Sequence, residues 1–131
     1  MNARTLDLIT QEVDEASLLE RARSGDIGAS AALLDEVAPD VYGEVLLEVG
    51  DAREAQRITD EALIAAAQAI HRSEIGSVRE LRWRVAARAR GEAVALSARR
   101  QQLISVRAGI RHLFGVLAAS GLAVYATILA I

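Results

Sequence analysis

The chain has 131 residues with one Pro, no Cys and no Lys, and 52% apolar but only 3% aromatic side chains. This composition predicts a single helix-rich domain with an appendage, and the missing cysteine excludes disulfides, thiolate metal sites and thiol nucleophiles. The net charge of −3 hides a split, because residues 1–70 carry five Arg and fifteen acids whereas residues 71–112 carry ten Arg and three acids. The basic half points to a polyanion, either nucleic acid or anionic lipid headgroups, and the acidic half to a protein partner or to solubility alone.

Residues 1–14 are expected to form an N-terminal tail. A first helix is predicted over Glu15 to Arg23, with Leu18, Leu19 and Ala22 on one face and the Ser24-Gly25-Asp26 turn ending it. A second runs from about Gly28 to Val49 with Leu33, Leu34, Val37, Val41, Val45 and Val49 inward. Pro39 has no N–H to donate and should bend or divide that helix near Ala38, and Gly50 ends it. Asp51 with Glu54 makes a capping box for a third helix reaching Ile70, whose apolar side includes Ala55, Ile58, Ala62, Ala65, Ala66 and Ala69. The stretch His71–Gly76 is then a loop. Ser77 with Glu80 forms a second capping box, and Val78, Leu81, Val85, Ala89 and Leu96 keep one stripe of a fourth helix facing inward.

At ~100° per residue, Arg79, Arg82, Trp83 and Arg90 lie together away from that stripe, while Arg84 and Arg88 flank its other edge. The only Trp is therefore expected on the surface. An exposed Trp among guanidinium groups can stack on an unpaired base while the arginines hold the surrounding phosphates. The other arrangement open to these residues is Trp83 packed on a neighbouring helix or resting at a lipid interface, with the arginines merely solvated.

Residues 101–112 read as a basic juxtamembrane linker. Residues 113–131, LFGVLAASGLAVYATILAI, carry no charge and at ~1.5 Å per residue span about 28 Å, close to one hydrocarbon core. They are predicted to form one membrane-spanning helix, because a domain of this size has little surface with which to cover a helix apolar on every side. Arg99, Arg100, Arg107 and Arg111 precede the span, so the positive-inside rule places the N-terminal domain in the cytoplasm. No signal peptide is expected, since Met1 to Glu20 is acidic and lacks an apolar core segment.

Enzymatic chemistry finds no support. His71 and His112 sit in a loop and beside the expected span with no carboxylate or hydroxyl spacing that makes a catalytic set. Gly25, Gly28, Gly43, Gly50 and Gly76 read as helix punctuation, and the acids do not reproduce a calcium-loop spacing. No cofactor or metal is expected.

The ordered residues Leu18-Leu19, Ala22, Gly25-Asp26, Ala38-Pro39, Val41-Tyr42, Gly50-Asp51, Ala55, Thr59, Glu61 and Ser77 resemble region 2 of the extracytoplasmic-function class of bacterial RNA polymerase sigma factors. The likeness covers roughly residues 17–100, continues through SVRELRWRVAARARGEAV, and implies an all-α fold, a small helical bundle over residues 15–100. It also implies that the third helix grips the clamp helices of RNA polymerase core, through Thr59, Asp60 and Glu61, and that the fourth opens promoter DNA through Arg79, Arg82, Trp83, Arg84, Arg88 and Arg90. Gln56-Arg57 stand where the family has an acidic pair, Asp60 where it has glutamine, Leu63 and Ala67 where a large aromatic is common, Ala87-Arg88 where it has Arg-Asn, and Glu92 where it has Asp. The family's helix-turn-helix domain is expected to have no counterpart after Arg100.

Together these readings describe a single-pass protein of a bacterial cytoplasmic membrane, with a sigma-like domain that binds polymerase, promoter DNA or a regulator protein in transcription initiation or its regulation. The competing expectation is a tail-anchored helical interaction module without DNA-binding activity, in which the arginines serve topology and anionic lipid. Burial of the fourth-helix arginines in intramolecular pairs with the acidic half would favour the second.

Overall fold

The computed structural model describes residues 2–130, with side chains described for residues 2–114 and 116. All the regular structure among them is helical: α1 (Ala3–Arg23), α2 (Ile27–Val49), α3 (Ala52–His71) and α4 (Val78–Ala130). Two compact units divide the chain, Met1–Ala95 and Leu96–Ile131. The first holds α1, α2, α3 and the beginning of α4; the second is a stretch of α4.

The loops are short because each helix stops on its own chemistry. Asp26 caps α2 by accepting the Ala29 N–H at 3.1 Å, and Gly50 ends it with φ +70°, a left-handed conformation that a Cβ disfavours. At the end of α3, Ser73 takes φ 59°, its N–H donates to Ile70 and the Glu74 N–H donates to Ala69. That is the Schellman pattern with serine where glycine is usual. The two expected capping boxes each form in part. Asp51 accepts the Glu54 N–H at 2.9 Å and Ser77 accepts the Glu80 N–H at 3.1 Å. Glu80 then reaches back to the Gly76 N–H at 2.9 Å, one residue earlier than the cap, while the Glu54 carboxylate binds Arg57 instead.

Two expectations are corrected. The helix predicted from Glu15 begins at Ala3, so residues 3–14 are helical where a tail was expected, with Leu6, Ile9 and Val13 exposed at helical spacing. Of the two outcomes expected at Pro39, bending or division, division is excluded, because α2 is continuous over 23 residues. Pro39 and Asp35 both lie on the exposed side, so the carbonyl that loses its helical donor faces water.

The core of the first unit is built from Leu19 and Ala22 of α1, every fourth residue of α2 from Ala29 to Val49, the Ala55, Ile58, Ala62, Ala66 and Ile70 stripe of α3, and Leu81, Val85, Ala89 and Ala93 of α4. Leu34, Ala65, Ala69 and Leu96, also expected inward, are only half-buried, and Thr59 is buried in addition to the expected set. Ile75, in the loop before α4, is fully buried, and its carbonyl accepts the Nε of Arg23 at 3.0 Å and the Nη2 of the same side chain. This fixes the loop on the end of α1.

Of residues 113–131, the expected membrane span, only the side chains of Leu113, Phe114 and Val116 are among those described; the rest of that reading lies outside them. Among the described residues no helix is long and apolar enough to cross a membrane.

Candidate nucleic-acid interface

The start of α4 is fixed from both ends of its first turn. Val78 and Leu81 are buried, and Glu80 is anchored by the Gly76 N–H. That hydrogen bond, and then Arg84, hold the Glu80 carboxyl below its ordinary range against some desolvation. The inward stripe Leu81, Val85, Ala89, Ala93 leaves the six candidate residues on the remaining surface. Arg79, Arg82, Trp83, Arg88 and Arg90 are exposed and Arg84 half-exposed, with Trp83 at 69%.

They do not form one patch. Arg82 turns towards α1 and α2, with Nη2 2.9 Å from Glu15 of α1 and 2.8 Å from Glu36 of α2, and Arg90 turns towards α2, with Nη2 3.0 Å from Glu44. Arg84 and Arg88 turn towards α3 and line a cleft of about 370 Å³ with Arg72, Glu74, Ala62 and Ala66. Arg84 pairs with Glu80 at 2.8 Å and approaches Glu74 at 3.9 Å. Among the described residues Arg79 and Arg88 make no ion pair. The paired arginines keep 40 to 66% of their side chains exposed, so their partners neutralise them without burying them.

The expected polymerase contact separates in the same way. Thr59 is 2% exposed and its hydroxyl donates to the Ala55 carbonyl at 2.8 Å, so it faces the core and is unavailable to a partner. Asp60 and Glu61 are on the surface. Gln56 donates to Asp60 at 2.7 Å and Arg57 to Glu61 at 2.8 Å, with Arg57 also on Glu54 at 3.0 Å. Gln56 and Arg57 thus engage both of these surface carboxylates.

Sequence reasoning missed Asp26 as a helix cap, although an Asp just before an apolar run is the usual sign, and missed the Arg23–Ile75 contact, which joins residues 52 apart and has no local signal. No group of acids and histidines that could hold a metal occurs among the described residues. Compared with models of protein families, with curated proteins and with solved structures, the chain matches none of them.

Proposed function

We propose that the chain is a membrane-tethered, sigma-factor-like protein of bacteria, which binds RNA polymerase core and promoter DNA in transcription initiation or its regulation. The observation that carries this reading is Trp83, the sole tryptophan, standing 69% exposed on α4 with Arg79 and Arg82 on the same side. An aromatic face beside guanidinium groups is the chemistry that holds an unstacked base and its phosphates. The ordered likeness to sigma-factor region 2 over residues 17–100 supports it, as does an all-α fold. Tethering is supported by the uncharged run 113–131 behind Arg99, Arg100, Arg107 and Arg111, a charge order that the positive-inside rule associates with a cytoplasmic helical domain. Asp60 and Glu61 are the surface carboxylates offered to the polymerase clamp helices.

The test is binding by the full chain in mild detergent to polymerase core and to single-stranded promoter-like DNA. Affinity for DNA should fall log-linearly with salt, and Arg79→Ala with Trp83→Ala should weaken it. No detectable binding of either partner at low salt sinks the reading. The second reading, a helical interaction module anchored by its tail, is favoured by the ion pairs of Arg82, Arg84 and Arg90 with carboxylates of the same chain. It predicts capture of a membrane protein that is insensitive to both substitutions.

A further inference from the structure

The cleft that Arg84 and Arg88 line lies between α3 and α4 within the first unit, and it joins an apolar wall to a cluster of cations. The wall is made by the methyl groups of Ala62, Ala65, Ala66 and Ala69 on α3, with Val85 on α4. Side chains this short leave about 370 Å³ unfilled, within the ~300–1,000 Å³ usual for small-molecule sites. The polar lining comes from the end of α3 and the loop after it, through Arg72 and Glu74, and from Arg84 and Arg88 on α4.

The charges of this lining do not cancel. Arg84 already has carboxylates, Glu80 at 2.8 Å and Glu74 at 3.9 Å. Among the described residues Arg72 and Arg88 make no ion pair, so two guanidinium groups line one cleft with their donors open to a ligand. Two such cations beside a methyl wall select a single group of charge near −2 on an apolar body. A phosphate monoester meets both demands, because it carries about −1.5 to −2 charges at pH 7 and has three terminal oxygens, enough to accept from two guanidinium forks. A carboxylate, or the phosphodiester of a nucleic-acid strand, brings one charge and leaves one arginine unmatched. A ring or alkyl body on the ester would be covered by the alanine methyls and contribute through burial.

We infer that the cleft between α3 and α4 binds a small phosphate monoester with an apolar body, its phosphate held by Arg72 and Arg88 and its body against the alanine wall. The inference stands apart from DNA binding at Trp83, which is not part of this cleft. Phenyl phosphate is the probe, titrated calorimetrically at neutral pH and low salt into the full chain in a non-ionic detergent, with the detergent alone as blank. Saturable binding is expected. Methyl phenyl phosphate, which keeps the ring but carries one charge, and inorganic phosphate, which has no ring, should each bind about tenfold more weakly. Arg88→Gln removes one of the two cations, and Ala65→Leu fills the cleft from a half-buried position. Each should weaken phenyl phosphate about tenfold with the helical circular-dichroism signal unchanged, whereas Arg53→Gln, at the other end of α3, should not. Absence of saturable binding, equal binding of the methyl diester or of inorganic phosphate, indifference to Arg88→Gln or Ala65→Leu, or a loss that Arg53→Gln shares would overturn it.

Discussion

Arg82 on α4 and Glu36 on α2 meet at 2.8 Å across 46 residues of sequence. Arg90 and Glu44 meet at 3.0 Å, the same step further along both helices, so α2 and α4 run in one direction there, with Asp40 and Ala86 midway. Two arginines of α4, Arg82 and Arg90, are thus paired with carboxylates from the acidic half of the same chain. A phosphate arriving at Arg82 has to displace a carboxylate, an exchange made cheap by exposure, since a pair of this kind is worth about 0.2 to 1 kcal/mol.

Removing those carboxylates should therefore help a polyanion more than it harms the fold. Glu15→Gln together with Glu36→Gln is expected to lower unfolding stability by no more than about 1 kcal/mol. Single-stranded DNA should bind more tightly, with a salt slope steeper by about 0.7 for one added phosphate contact. Fluorescence anisotropy at several salt concentrations reads both the affinity and the slope.

Thr59 separates a structural role from a contact. Because its hydroxyl is buried on the Ala55 carbonyl, Thr59→Val should cost about 1 kcal/mol of stability or less and leave polymerase binding unchanged. Asp60→Ala with Glu61→Ala should weaken polymerase binding with little change in stability. Surface-immobilised polymerase core titrated with each variant distinguishes the two.

Ser73 holds a left-handed conformation that serine adopts at a cost. Ser73→Gly relieves it and should raise stability by about 1 kcal/mol, read from urea midpoints of the full chain.

Asp26 gives the fold an acid-sensitive cap. The Ala29 N–H and then the Arg21 guanidinium, 2.6 Å away, hold its carboxyl below the usual aspartate value. A depressed folded-state value means that the stabilisation is complete above the ordinary unfolded value, and is lost as pH falls through the depressed one. Stability of the natural chain should thus decline as pH drops below about 4. Asp26→Asn, which still caps but cannot ionise, should show a shallower decline in pH-dependent urea titrations.

Most of the first unit was legible in sequence because its signals are local. Gly50-Asp51 and Ser77 mark real helix ends, and the α2 stripe from Leu33 to Val49 is buried as its spacing implies, Leu34 excepted. The beginning of α1 was readable from Leu6, Ile9 and Val13, but that spacing meets no core, so it lacks the burial that usually accompanies a predicted helix. The resemblance implies a polymerase contact for Thr59, yet it sits beside Ile58 and Ala62 in the α3 stripe, and its hydroxyl is satisfied within the helix. The pairing of Arg82 and Arg90 with α2 had no local sign; it depends on which helix lies beside α4, and sequence spacing places residues only on their own helix.

The most direct measurement uses Trp83 itself. As the only tryptophan it reports any base stacked on it, without a label. Titrating the full chain in mild detergent with single-stranded promoter-like DNA should quench its emission in a saturable, salt-sensitive way, and Arg79→Ala should shift the curve to higher DNA concentration. Unchanged emission at low salt, with polymerase core present or absent, would contradict a base-binding role for α4.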